Sequence, residues 1–207
     1  KLRQVPREAA GIMRNSIETD ARGFIKDIIA ITPPAMGKAN AEAKKRGETA
    51  VMRDIRRVYV TPGKLFELIK SKNPRLAAAF WVAVKEQDWP RASSITRSAG
   101  VPDLIDFASD DGAAHQSRRR KGKVTGNQPS FGVRDPRYLA AYIKQQQSRV
   151  GLLAAGFKAG AEKLSVNLPA WVRRHASGIG TVQIQSDSSR FTITLSNRAR
   201  HGSSNGL

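Results

Sequence analysis

Three kinds of residue in this sequence could do chemistry: its histidines, one group of carboxylates and one run of cations. The histidines are His115, His175 and His201. No two of them have the spacing of metal ligands on a helix, and the chain has no cysteine. A zinc site and a thiolate nucleophile therefore lack their ligands. His115 and His201 are expected in loops or tail. The carboxylates are Asp103, Asp106, Asp110 and Asp111. A two-metal nuclease needs carboxylates that converge on the ions. Here the spacing fits local structure better: Asp103 follows a proline at a helix start, Asp106 lies about one turn on, and Asp110-Asp111-Gly112 is turn chemistry. No phosphate loop, nucleophile elbow, dinucleotide fingerprint or calcium loop is present. The expectation is a protein that is not an enzyme, with no catalytic residue, no metal and no cofactor.

The cations are more informative. Arg118, Arg119, Arg120, Lys121 and Lys123 place five positive charges within six positions. Such a run repels itself and is stabilised by phosphate or by a partner's carboxylates. The whole chain shares the bias, with a formal charge of +19 and a pI near 11.1. A field of that sign favours polyanions. No zinc finger or aromatic base-stacking motif accompanies it, so sequence-specific reading of nucleic acid is not expected. These five residues are the candidates for contact with nucleic acid or with an acidic partner. Trp89 and Trp171 neighbour proline and cations, and with Arg173 and Arg174 they are the candidates for a protein interface. Trp81, inside an apolar segment, is expected in the core.

The elements that must hold these residues follow from pattern. A helix is expected from Arg7 to about Ile31, ended by Thr32-Pro33-Pro34. A charged, alanine-rich stretch runs from Asn40 to about Ile55. Val58-Tyr59-Val60 is short and β-branched enough for a strand. Thr61-Pro62, Asn73-Pro74 and Asp135-Pro136 each pair a capping side chain with proline at the first helical position. Trp89-Pro90 is expected to break one helix before another from Arg91 to Ala99. The segment after Asp135 is expected to be one helix to about Leu164, with a seam of small residues from Gly151 to Gly160. Val182 and Ile184, then Phe191, Ile193 and Leu195, alternate with polar residues and predict a β-hairpin.

The expected fold is α+β: mostly helical, with a small antiparallel sheet, the C-terminal hairpin, packed against a long helix. The expected division is a helical region 1–108, an exposed basic loop or arm 109–134, the long helix and hairpin 135–197, and a flexible tail 198–207, as one domain with an inserted middle. No apolar run approaches the roughly 20 residues that span a bilayer, so no membrane is expected among the partners. The first residues are polar and lack the apolar core of a signal peptide.

The segment Ile31-Thr32-Pro33-Pro34, the lysine- and alanine-rich stretch with Gly47, and Asp54-Ile55-Arg56-Arg57-Val58-Tyr59-Val60 resemble the N-terminal part of minor virion proteins of tailed bacteriophages. Val150-Gly151, Ala154 to Ala161, Leu168-Pro169-Ala170-Trp171-Val172, His175 and the paired strands ending at Leu195-Ser196-Asn197-Arg198-Ala199 extend the likeness. The class it resembles is the tail-completion or head–tail joining (neck) class. The blocks cover about two-thirds of the chain. Residues 73–132 have no counterpart, and the tail after Asn197 lacks the aromatic segment such proteins carry.

The resemblance implies helices laid against an antiparallel sheet, and a ring of copies around the DNA path. It implies portal, adaptor or tail proteins as partners, and a place in the virion after assembly in the host cytoplasm. It implies no catalytic residues. The alternative drawn from charge alone is a non-specific nucleic-acid-binding protein acting through a basic surface, in contact with the DNA backbone.

Overall fold

A computed structural model of the 207-residue chain describes residues 7–35, 40–110, 112–120, 123–124, 129–186 and 190–199. In chain order the elements are α1 (Arg7–Ile31), α2 (Asn40–Arg56), β1 (Tyr59–Val60), α3 (Pro62–Lys70), α4 (Pro74–Lys85) and α5 (Trp89–Ser98). There follow β2 (Asp103–Ile105), α6 (Phe107–Asp110), α7 (Ala113–Arg118), β3 (Arg119–Arg120), β4 (Lys123–Val124), β5 (Phe131–Val133) and α8 (Pro136–Ser148). The chain ends with α9 (Leu152–Ala155), α10 (Lys158–Lys163), α11 (Ala170–Arg173), β6 (Gly180–Ser186) and β7 (Phe191–Asn197). The fold is α+β and mostly helical, as expected.

The chain forms two compact units. A terminal unit comprises Lys1–Glu48 and Arg149–Leu207, and a central unit comprises Thr49–Ser148. The division differs from the expected boundaries: the described segments before and after the middle share one unit, and the middle forms a unit with its own core.

In the terminal unit, β6 and β7 pair antiparallel from Gly180↔Asn197 to Ser186↔Phe191. Val182 and Ile184 are half-buried while Gln183 and Gln185 are exposed, as alternation requires. Leu195, Ile193 and Ile184 pack against a core built on Ile25 and Ile29 of α1 and Ala161 and Leu164 near α10. The long helix against the hairpin is thus α1, assisted by α10.

The helix expected from Asp135 to Leu164 is instead three helices, α8, α9 and α10. The first break is at Gly151, whose φ is +99°, a conformation open to glycine and strained for other residues. A Cβ there would also lie 2.7 Å from the Trp171 ring. The pattern of apolar residues continues through the break because all three segments feed buried cores.

The central unit has two cores. One joins α3, α4 and α5 around Leu65, Ile69, Ala77, Phe80 and Ile95. Its caps are those the sequence predicts: Asn73 Oδ1 accepts from the backbone N–H groups of Arg75 and Leu76 at 3.1 and 3.2 Å. Thr61 caps α3 through the Lys64 N–H. Asp88 caps α5, so Pro90 sits in the first turn of that helix and does not merely end its predecessor.

The second core gathers Ile55, Val58, Tyr59, Phe107, Val133, Leu139 and Tyr142. It lies at a parallel three-stranded sheet, in the order β1-β5-β2, with Tyr59 and Asp103 both opposite Phe131. Of these strands the sequence predicts only β1; strands of two or three residues are too short to show alternation. Residues 109–134 are therefore not simply an exposed arm, since their described part supplies α7, β3, β4 and β5.

Candidate functional site

Arg118 and Arg119, the described side chains of the basic run, adjoin a polar cluster of the central unit. The site starts at Asp54 in the last turn of α2. Asp54 is half-buried and faces α7 and the β3–β4 hairpin. Its Oδ1 accepts the Val124 N–H at 2.9 Å, and its Oδ2 lies 3.1 Å from His115 Nε2. Arg119 Nε lies 3.5 Å from the same Oδ2. One carboxylate thus holds both strands of the small hairpin, β3 through Arg119 and β4 through Val124.

His115 continues the network inward. It is only 4% exposed, which corrects the expectation of a loop histidine. Its backbone N–H donates to the Tyr59 hydroxyl at 3.0 Å, and its Nδ1 lies 2.9 Å from the Tyr142 hydroxyl. An ionised carboxylate only accepts, so Nε2 carries the proton toward Asp54. In the neutral ring Nδ1 then accepts from the Tyr142 O–H. Burial holds the imidazole below its ordinary pKa of 6.5. The hydrogen bond and charge of Asp54 pull the other way, and the Arg119 charge adds to the lowering.

An Asp–His–Tyr chain is a constellation that can move protons, so its surroundings decide its role. Tyr142 is buried, and Gly112 closes over it: a Cβ on Gly112 would lie 2.4 Å from the Tyr142 ring. The φ of Gly112, +78°, is itself suited to glycine. Phe107 packs against the same ring, with centroids 5.5 Å apart. A shallow groove lined by Phe107, Ala108, Tyr138, Ala141, Tyr142 and Gln145 adjoins it, but no charged side chain lines that groove. The geometry is that of a tie between α2, α7, α8 and the basic hairpin.

The cations of the run are placed unequally. Arg118 donates to the Ser130 hydroxyl, and Arg119 is engaged with Asp54. Lys121 lies outside the described residues. So do the side chains of Arg120 and Lys123, though their backbones pair in β3 and β4. Arg53, Arg56 and Arg57, at and just beyond the end of α2, are exposed and add to the positive surface of this unit. In the sequence these three only crowd a helix end; their nearness in sequence to Asp54 is the signal that could have found them.

The interface candidates also separate. Trp171 is 4% exposed and belongs to the core of the terminal unit. This corrects its assignment to an interface: Gly151 provides the flat backbone against which the indole lies. Trp81, expected in the core, is instead 38% exposed. Trp89 is half-buried, with the Arg134 guanidinium 5.9 Å from its ring centre. Arg173 and Arg174 are both exposed; Arg174 also donates to the Val150 carbonyl at 2.7 Å and lies 3.7 Å from Glu48.

The two described carboxylates of the group, Asp103 and Asp106, are each engaged locally. Asp103 accepts from Thr96 Oγ1 at 3.0 Å and from the Leu104 N–H at 2.8 Å, and it faces Arg97 at 3.4 Å. Asp106 accepts from the Ala108 N–H at 3.1 Å. Asp111 and the side chain of Asp110 lie outside the described residues, as does His201. Among the described residues no group of three or more His, Asp or Glu could hold a metal ion. No described helix is long and apolar enough to cross a membrane.

Set against family models, curated proteins and solved structures, the chain matches none.

Proposed function

We propose that this protein is a structural component of a tailed phage virion, a tail-completion or head–tail connector protein that forms a ring with other virion proteins around the DNA path. The observation that carries the reading is the β6–β7 hairpin of the terminal unit. Seven residues pair on each strand, helices α1 and α10 cover one face, and no third strand joins it among the described residues. A two-stranded sheet is marginal alone, and its free edges are where a neighbouring copy or partner adds a strand. Helices over an antiparallel hairpin are also what the sequence resemblance implies. The +19 charge suits a lumen that DNA traverses.

The alternative is a non-specific nucleic-acid-binding protein. The exposed Arg53, Arg56 and Arg57 at and just beyond the end of α2 favour it. The engagement of Arg118 and Arg119 within the protein makes those two weaker phosphate ligands than an open loop would supply.

Deletion of the gene from the phage separates the two. The connector reading expects filled or partly filled heads and separate tails, unjoined, in electron micrographs of the lysate. Normal, infectious particles without this chain would overturn it.

A further inference from the structure

Two exposed surfaces of opposite charge, one on each unit, carry an inference about how copies meet. On α1, Met13, Phe24 and Ile31 are 61%, 52% and 68% exposed. At about 100° per residue their spacing places them within about 20° of one another on the helix. Asp20 and Asp27, both exposed, lie on the same strip. The cations of this helix stay off it: Arg14, Arg22 and Lys26 project about a quarter-turn or more away. Arg14 is paired with Glu18, and Arg22 donates to the Leu164 carbonyl at 2.9 Å. In a chain of charge +19, this is an apolar strip about 27 Å long, from Met13 to Ile31, whose only charges are acidic.

The second surface is on α3 and α4. Trp81 is 38% and Val82 44% exposed, and Ala78 and Lys85 share their face of α4. Phe66 of α3 extends the patch, its ring centroid 5.6 Å from that of Trp81. Lys70 Nζ lies 5.9 Å from the Phe66 centroid. Arg75, one turn before Ala78, is exposed as well. Among the described residues no ion pair includes Lys70 or Lys85. The carboxylate just past α4, Glu86, faces Arg91 at 3.7 Å. This patch is aromatic at its centre, and its rim carries Lys70, Arg75 and Lys85 against one exposed carboxylate of α3, Glu67, so it is net cationic, with the aromatic and cationic residues of an interface hot spot.

We propose that the acidic apolar strip of α1 in one copy docks on the cationic aromatic face of α3 and α4 in the next copy. Met13, Phe24 and Ile31 meet Phe66, Trp81 and Val82, while Asp20 and Asp27 meet Lys70 and Lys85. The contact is between unlike faces, so it propagates head to tail and closes into a ring when the rotation permits. Apolar burial supplies the attraction, and the charges fix register and reject strip against strip or face against face. The inference rests on the ring reading and names the interface that builds it.

The test uses the full chain and sedimentation velocity across a concentration series. The unaltered protein is expected to form concentration-dependent oligomers. Asp20→Lys with Asp27→Lys reverses one surface, and Lys70→Glu with Lys85→Glu reverses the other. Each double variant alone now opposes like charges and is expected to dissociate at concentrations at least about tenfold higher. Mixed in equal amounts, the two variants present complementary pairs where the reversed strip meets the reversed face, and the mixture is expected to assemble again. All four positions are exposed, so circular dichroism is expected to match the unaltered chain.

An unaltered protein that stays monomeric throughout, variants that assemble as well as it does, or a mixture that stays dissociated would each overturn the interface. A fixed copy number in particles alongside any of these results would leave the connector reading standing and remove only this interface.

Discussion

Asp54 and His115 are 61 residues apart in sequence, and their side chains meet at 3.1 Å beneath the basic hairpin. The same carboxylate accepts the Val124 N–H. Removing it strands a buried imidazole N–H and a backbone N–H together. Asp54→Ala is expected to destabilise the protein by about 2–3 kcal/mol, while Asp54→Asn, which keeps one acceptor, costs less. Urea unfolding of the two variants measures both, and equal stability of all three proteins would show that the tie is not structural.

The same pair sets a pH dependence. The folded-state pKa of His115 is lowered from 6.5 by burial, with the Arg119 charge adding to it and Asp54 opposing it. Below pH 6.5 the unfolded chain therefore takes up the proton before the folded protein does. The contribution of this group to stability is complete above 6.5, falls as pH drops below it, and levels off under the folded pKa. His115→Gln does not titrate, so its unfolding free energy is expected to vary less as the pH falls below 6.5 than that of the unaltered protein. Unfolding curves at stepped pH give the comparison.

Gly151 and Trp171 form the second close approach on which the fold depends. Gly151→Ala places a Cβ 2.7 Å from the indole at a φ of +99°. It is expected to cost more than about 1 kcal/mol, because both strain and overlap oppose it. Trp171→Ala empties a core position and is expected to cost about 3–5 kcal/mol. Trp81→Ala, at an exposed face, is expected to leave the melting temperature near that of the unaltered chain at concentrations low enough to keep both monomeric. Thermal unfolding of the three variants separates core tryptophan from surface tryptophan.

How far the fold is legible in the sequence depends on the range of the interaction. Local signals are reliable: Thr61, Asn73 and Asp135 before proline mark starts of α3, α4 and α8, and the alternation from Val182 to Leu195 marks the hairpin. Interactions made at a distance leave no local trace. Asp54, Tyr59, His115 and Tyr142 come from four separate segments, so nothing near His115 distinguishes it from a loop residue. The parallel strands are too short for periodicity, and their pairing is set by the helices between them. Trp81 and Trp171 exchange their expected places for the same reason. An apolar segment draws a tryptophan toward a core assignment, while the true core position of Trp171 depends on Gly151, twenty residues earlier.

The basic run bears on the alternative reading. Neutralising Arg118, Arg119, Arg120, Lys121 and Lys123 together is expected to lower affinity for duplex DNA without abolishing it, because cations lie across both units. The log–log salt slope is expected to fall by about 0.9 for each phosphate that the protein no longer neutralises. A collapse of binding would place the function in the hairpin and favour the nucleic-acid-binding alternative. Filter binding or fluorescence anisotropy at several salt concentrations provides the slopes.

The central claim is a fixed structural place in the particle. Quantitative peptide mass spectrometry of purified phage particles tests it most directly, with the copy number scaled to the major capsid protein. The connector reading predicts this chain in every preparation at a low, constant count of about six or twelve per particle. Its absence from purified particles, or a count that varies with the preparation, would contradict it.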